Sequence, residues 1–122
     1  MSTDLTLTRN LITAVPEFAA ILEEHVADYD EVLTHVLMAD FTRAVISLAE
    51  QSLRGDTRAD ATIVAFLNVV EQSLLAGSPE EAELIAASFL ENIDDDSAES
   101  RALIYKFGPA TAAMLRRMRG EG

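Results

Sequence analysis

The fold class of this chain is decided by residues 56–93, which read DTRADATIVAFLNVVEQSLLAGSPEEAELIAASFLENI. Residues 56–76 predict one helix, which Gly77 ends, and residues 61–70 are apolar nearly all round it. A helix without a polar face is covered by its neighbours on every side, so this segment predicts a central helix. Its most buried side chains are expected to be Ile63, Phe66, Leu67, Val70 and Leu74.

A strong helix-start signal follows at residues 78–81, Ser-Pro-Glu-Glu. Ser78 is the predicted N-cap, Pro79 takes the first helical position, and Glu81 completes a capping box. The helix that follows is expected to bury Leu84, Ile85, Phe89 and Ile93. Residues 94–97 then predict a loop, in which Asp96 or Ser97 caps the next helix.

The same helical period continues toward the N-terminus. Pro16 is predicted to lie in the first turn of a helix with one apolar face, made of Phe18, Ile21, Leu22, His25, Val26 and Tyr29. Asp30 is predicted to cap a helix over residues 30–54, which Gly55 ends. The pattern fits either one continuous helix or two helices that meet near Asp40.

Toward the C-terminus, Gly108 and Pro109 separate two further helices. The inward-facing residues are predicted to be Leu103, Ile104 and Phe107 in the first, and Ala112, Leu115 and Met118 in the second. No segment shows the alternation of a strand. The chain is therefore predicted to be all-α, one domain over residues 1–122, as a compact bundle or an irregular HEAT-like stack of about six helices. Residues 1–14 are an N-terminal lead, with a short helix as the alternative.

The composition excludes several classes of function. Asp and Glu number 21 against 9 Lys and Arg, so the net charge of −12 opposes direct binding of nucleic acid or anionic membranes. The absence of cysteine excludes disulfides, thiolate zinc sites and cysteine nucleophiles. The N-terminus lacks a signal-peptide pattern and the longest apolar run, residues 61–70, is shorter than a membrane span, which favours a cytoplasmic protein.

The acidic residues are concentrated in two stretches without any Lys or Arg. Residues 17–40 contain seven acidic side chains and residues 60–100 contain ten. If the two stretches lie side by side, they form a negative surface that attracts a basic protein. The residues predicted to bind such a partner are Glu23, Glu24, Asp28, Glu31, Asp94, Asp95, Asp96 and Glu99.

Patterns for metals and catalysis are incomplete. His25 and His35 are the only histidines, and Glu31 lies four residues before His35, whereas di-iron bundles use Glu-x-x-His. His25 lies on the apolar face, which is typical of a hydrogen-bonded core histidine. The run of aspartates at residues 94–96 lacks the glycine and glutamate that a calcium loop requires. We expect no catalytic residue, no metal and no cofactor.

Three segments resemble a family of small, uncharacterised bacterial domains: residues 15–45, 88–93 and 107–115. The most specific pieces are Pro-Glu-Phe at residues 16–18, His35-x-x-Met38-x-Asp40, and Gly108-Pro109. In size, charge and helicity the chain is also similar to the immunity proteins that neutralise bacterial toxins. That likeness implies a protein partner rather than a catalytic residue.

The sequence therefore predicts a cytoplasmic, protein-binding protein that is not an enzyme. Its partner is expected to be a basic effector, such as a nuclease toxin, which an acidic face occludes in the manner of an immunity or antitoxin-type inhibitor. The alternative is a helical adaptor, scaffold or homodimeric module that uses an apolar face. A metal-dependent helical-bundle enzyme is the third interpretation.

Overall fold

The computed structural model describes residues 3–120, and over this range the chain is helical, without a strand. Seven α-helices are present: α1 (Thr3–Ala14), α2 (Ala19–Tyr29), α3 (Thr34–Leu53), α4 (Thr57–Ala76), α5 (Pro79–Ser88), α6 (Ala98–Tyr105) and α7 (Pro109–Met118). Short 3₁₀ turns, Pro16–Phe18 and Leu90–Asn92, precede α2 and follow α5. The predicted all-α class is confirmed.

The core is organised around α3 and α4, which pack against each other and against most of the other helices. All five phenylalanines of the chain form one continuous series through it. Phe18 stacks on Phe41 with ring centroids 4.9 Å apart and meets the edge of Phe66 at 5.9 Å. Phe66 in turn meets Phe89 at 5.4 Å, and Phe89 lies 6.0 Å from Phe107. Each such pair adds about 0.5–1.5 kcal/mol beyond its buried area, so the series ties distant parts of the chain together.

The N-terminal lead is a core helix. Leu7 and Leu11 lie four residues apart on α1, both are fully buried, and α1 packs against α4 and α5. The short helix that the sequence offered as an alternative for residues 1–14 is therefore present as Thr3–Ala14. Arg9 and Asn10 of this helix face solvent, whereas Thr8 is buried.

The junction between α2 and α3 differs from the prediction. Asp30 ends α2 as its C-cap, with a left-handed φ of 58°, and does not cap α3. Helix α3 begins at Thr34 after the extended residue Leu33, whose backbone N–H donates to the side chain of His25. From there α3 continues unbroken through Asp40 to Leu53, so the continuous alternative is correct.

Helix α4 has the predicted bounds and most of the predicted core residues. Asp56 caps it by accepting from the N–H groups of Arg58 and Ala59, at 3.0 and 3.1 Å. The predicted core residues are buried except for Leu74, which is half-buried. The prediction that α4 is covered on all sides was wrong: Val64 is 41% exposed and Leu75 is 63% exposed. The exposed side of α4, which also carries Asn68 and Gln72, has no neighbouring helix to cover it.

Helix α4 is also long and apolar enough to cross a membrane, judged by length and composition alone. A third (33%) of its most apolar window is buried inside the fold. A single helix of this kind is weak support for a membrane span, because core helices pass the same test.

The remaining helix ends follow the local signals. Ser78 Oγ accepts from the N–H of Glu81 at 3.2 Å, and Ser97 Oγ accepts from the N–H of Ser100 at 3.1 Å. Gly55 has a φ of +96°, as expected for a residue just beyond a helix end. Pro109 opens α7 as predicted.

Three residues predicted to face inward are exposed instead. Val26 and Tyr29 are exposed because α2 packs mainly against α3 and the Pro16–Phe18 turn, which leaves the second half of its apolar face at the edge. Met118 is the last residue of α7 and is 40% exposed. The apolar face of a helix can therefore be longer than the part that neighbouring helices cover.

Candidate functional site

One group of predicted binding residues forms an open acidic surface. We define the acidic α2 surface as the exposed acidic side chains on and next to α2: Glu17, Glu23, Glu24, Asp28, Asp30 and Glu31. Within residues 3–120, none of these side chains forms an ion pair. Asp40, the seventh acidic residue of this stretch, is ion-paired with Arg43 one turn further along α3. No cation of the described residues therefore pairs with the acidic α2 surface.

The second group lies in a turn that the chain itself neutralises in part. Asp94 accepts from the N–H groups of Asp96 and Ser97 at 2.8 and 2.7 Å. The hydrogen bond from Ser97, followed by that from Asp96, holds the pKa of Asp94 below its ordinary value. Asp95 is ion-paired with Arg119 at 2.6 Å. Arg101 also donates to the carbonyl oxygens of Asp95 and Asp96.

Glu99 and three other acidic residues of the second stretch are also less available to a partner, because each is ion-paired or at least half-buried. Glu99 is half-buried in the first turn of α6. Asp60 is ion-paired with Lys106 at 2.7 Å, and the hydrogen bonds from Lys106 and Ser52 lower the pKa of its carboxyl group. Glu71 and Glu81 are buried. The stretch without cations in the sequence thus receives them in space from residues beyond position 100.

The two predicted groups are not joined by any hydrogen bond or ion pair in the part of the chain that the structure describes. Their contribution to one shared binding surface stays a prediction. The acidic α2 surface is the stronger candidate, because its carboxylates are exposed and unpaired.

A cavity of about 310 Å³ lies beside this surface, between α2 and α3. We call it the α2–α3 cavity. It is lined by Ile21, Glu24, His25, Asp28, Tyr29 and Asp40. Two of the predicted binding residues, Glu24 and Asp28, thus line the same cavity as Asp40 and His25. Tyr29 was predicted to lie on the apolar face of its helix, and Asp40 was not among the predicted binding residues.

His25 has a fixed tautomer in this cavity. The N–H of Leu33 donates to Nε2 of His25 at 2.9 Å, so the neutral ring carries its hydrogen on Nδ1. Nδ1 is buried without a hydrogen-bond partner, and its nearest described carboxylate oxygen, Oδ2 of Asp40, lies 3.8 Å away. The interpretation of His25 as a hydrogen-bonded core histidine is confirmed for Nε2.

This tautomer limits the chemistry that His25 can perform. A metal ligand or a general base needs a ring nitrogen with an available lone pair. In His25 one lone pair is bound to the Leu33 N–H and the other nitrogen carries hydrogen. Among the described residues, no three histidine or carboxylate side chains converge to hold a metal ion. The ring nitrogen that faces Asp40 is a hydrogen-bond donor.

His35 makes a separate contact. Its Nδ1 lies 2.7 Å from the hydroxyl of Ser88, and this bond joins α3 to α5. Serine and histidine at this distance also occur in nucleophilic sites, where the serine faces a cavity. Ser88 is buried, and neither residue lines the α2–α3 cavity or the two shallower cavities beside α1 and α4. The contact therefore stabilises the packing of α3 and α5.

The chain matches the model of one known protein family. A family model described as a domain of unknown function, DUF7674, matches residues 8–120. The chain belongs to this family. The DUF7674 match runs from the buried face of α1 to the residue after Arg119, so it includes both the α2–α3 cavity and the turn at residues 94–96. Comparisons with curated proteins and with solved structures gave no match.

Proposed function

We propose that this DUF7674 protein is a protein-binding inhibitor of the immunity or antitoxin type, which covers a basic surface of an effector such as a nuclease. The observation that carries the proposal is the acidic α2 surface, six exposed carboxylates without an ion-pair partner among the described residues. A cytoplasmic location and a bacterial source belong to the same proposal.

The negative charge of the acidic α2 surface is suited to binding a basic partner. Exposed carboxylates at the rim of an interface accelerate the encounter with a basic partner, to about 10⁸–10⁹ M⁻¹s⁻¹ at low salt. A nuclease binds phosphates with Lys and Arg side chains, and carboxylates can take the places of those phosphates. Glu23, Glu24, Asp28 and Glu31 are the proposed contacts.

Asp94, Asp95, Asp96 and Glu99 are proposed as secondary contacts. Asp94 already accepts two backbone hydrogen bonds and Asp95 is paired with Arg119. A partner would have to replace these bonds, so this turn is expected to contribute less than the acidic α2 surface.

Charge reversal tests the proposal with a matched control. Glu23→Lys combined with Glu31→Lys changes the acidic α2 surface, whereas Glu83→Lys combined with Glu91→Lys makes the same net charge change at other exposed positions. Each variant serves as bait for basic proteins from lysate of the source cells, and association rates are then measured with the captured protein. We expect the first pair to slow association about tenfold at low salt and the second pair to have little effect.

Equal loss in both variants would show that only the net charge acts, and would overturn the specific surface. If the captured protein is a nuclease, its activity should fall on addition of the wild-type chain. Undiminished nuclease activity in the complex would overturn the inhibitor role.

The exposed side of α4 favours a second candidate, a homodimeric module. Val64 and Leu75 lie three turns apart on this side and are both exposed, with Asn68 and Gln72 between them. Burial of large apolar side chains is the usual driving force for self-association. Sedimentation equilibrium should then give twice the mass of 13.3 kDa, and Leu75→Glu should return the monomer.

A further inference from the structure

The α2–α3 cavity contains a buried donor that the fold leaves without a partner. The side chain of His25 has no exposed area, and its Nδ1 makes no hydrogen bond. Because Nε2 accepts from Leu33, the hydrogen lies on Nδ1 and requires an acceptor. Buried polar groups in native proteins are nearly always hydrogen-bonded, so this atom is a donor that a group entering the cavity can use.

The spacing of His25 and Asp40 defines that group. Nδ1 and Oδ2 of Asp40 are 3.8 Å apart, which is too far for a direct hydrogen bond. Nδ1–H requires an acceptor, while Oδ2 of Asp40, whose Oδ1 is bound to Arg43, can accept a further hydrogen bond. Nδ1 is covered in this structure, so a hydroxyl group bridges the two side chains when the partly exposed side chain of Asp40 moves aside to admit it. A carbonyl group has no hydrogen for Asp40, and an ammonium group has no lone pair for Nδ1–H.

The rest of the cavity lining is anionic and aromatic apart from the apolar side chain of Ile21. Glu24 and Asp28, one turn apart on α2, line it without a cation partner among the described residues, and Arg43 pairs with Asp40 only. The ring of Tyr29 lies 4.9 Å from that of His25 and completes the lining. Carboxylates and an aromatic face are the groups that bind an ammonium ion. The volume of about 310 Å³ suits a small ligand.

We infer that the α2–α3 cavity binds a small amino alcohol, which carries a hydroxyl group and a protonated amine on neighbouring carbons. The hydroxyl group bridges His25 and Asp40, and the ammonium group lies between Glu24 and Asp28. This site goes beyond the proposed protein partner, although it shares Glu24 and Asp28 with the acidic α2 surface. Simple amino alcohols and amino sugars have the same chemistry, whereas an amine with an esterified hydroxyl lacks the hydrogen that Asp40 can accept.

Titration of the full chain followed by NMR tests the inference. The probes are ethanolamine, ethylamine, which lacks the hydroxyl group, and ethylene glycol, which lacks the amine. We expect saturable shifts of the His25 ring signals with ethanolamine, and about tenfold weaker binding of each of the other two. Glucosamine compared with glucose shows whether the cavity also takes amino sugars.

Two results would overturn the inference. Ethylamine that binds as tightly as ethanolamine would show that charge alone attracts the ligand. Shifts that do not saturate with either ethanolamine or glucosamine would leave a water molecule as the group that bridges His25 and Asp40.

Variants separate this site from the protein-binding surface. Glu24→Gln with Asp28→Asn should weaken ethanolamine binding about tenfold, whereas Glu23→Gln with Glu31→Gln removes the same charge outside the cavity and should leave it unchanged. All four side chains are exposed, so folding is not at risk. Equal effects of the two pairs would contradict a cavity site. Because the partner test uses only Glu23 and Glu31, either proposal can fail without the other.

Discussion

Glu71 of α4 holds the first turn of α7 through Thr111, which lies 40 residues further along the chain. Oε1 of Glu71 accepts from the backbone N–H of Thr111 at 2.9 Å and from its hydroxyl at 2.7 Å. Oε2 accepts from the N–H of Ala110 at 2.8 Å. The N-cap of α7 is Gly108, which has no side chain for this role. Glu71 therefore acts as the N-cap of a helix to which it does not belong.

Replacement of this carboxylate should destabilise the fold. Glu71→Gln keeps the shape of the side chain but replaces one acceptor oxygen with a donor that faces backbone N–H groups. We expect the free energy of unfolding to fall by about 1.5–3 kcal/mol, the usual contribution of hydrogen bonds to a charged group. Urea unfolding near neutral pH followed by circular dichroism measures this. Glu83→Gln, at an exposed position of α5, is the control and should change stability by less than about 0.5 kcal/mol.

The contribution of Glu71 should depend on pH. Burial raises the pKa of its carboxyl group, but the hydrogen bonds from Ala110 and Thr111 outweigh burial and hold the pKa below its ordinary value of 4.5. The folded state therefore binds this proton less readily than the unfolded state. The stabilisation is fully present above the unfolded pKa and is lost as the pH falls through the folded pKa.

Unfolding of the wild type and of Glu71→Gln at several pH values measures this dependence. The difference in stability between the two proteins should be constant at neutral pH and shrink progressively below about pH 4.5. A difference that stays the same down to strongly acidic pH would contradict the linkage.

Gly108 should not tolerate a larger residue while Glu71 is in place. A Cβ atom at Gly108 would lie 2.5 Å from both Cδ and Oε1 of Glu71. Gly108→Ala is therefore expected to lower stability by about 1–3 kcal/mol through overpacking. In a Glu71→Ala background the obstacle is absent, so the same change should cost much less. A double-mutant cycle measures this coupling, and additive effects would argue against the close approach.

Asp30 is expected to be replaceable by glycine with a gain in stability. Its φ of 58° lies in the left-handed region, and its negative charge lies at the C-terminal end of α2, where the helix dipole opposes it. Asp30→Gly should raise the free energy of unfolding by about 1 kcal/mol. Asp28→Gly removes the same charge from the last turn of α2, where the small helix cost of glycine relative to aspartate offsets the gain from removing the charge, and should change stability by less than about 0.5 kcal/mol. Thermal unfolding should therefore show a higher midpoint for Asp30→Gly and little change for Asp28→Gly.

Helix ends and helix faces could be read from the sequence because they depend on neighbours only a few residues away. Ser78, Ser97 and Gly55 act as predicted, and so does the buried series that ends at Ile93. Asp30 was wrongly assigned as an N-cap, because an aspartate between two helices can either end the first helix or cap the second. The deciding contact, between His25 and Leu33, spans eight residues and an irregular loop.

Only part of the candidate site could be predicted from the sequence, for a related reason. Glu24 and Asp28 were identified from the absence of cations around them in the sequence. That criterion treated residues 94–99 in the same way, although Arg101 and Arg119 reach back to this turn once the chain is folded. Asp40 belongs to the same stretch as Glu24 and Asp28 but was considered only as a possible junction between two helices, and Tyr29 was assigned to the apolar face of its helix.

The sequence by itself determined the helical class, most helix boundaries and the excess of negative charge, because periodicity, capping and composition act over a few residues or add up over the chain. Only the tertiary structure decided which acidic residues remain unpaired, that Glu71 caps α7, and that His25 directs an unpartnered N–H toward Asp40. These features arise between residues that are distant in the chain, and the packing of α2, α3, α4 and α7 sets their distances.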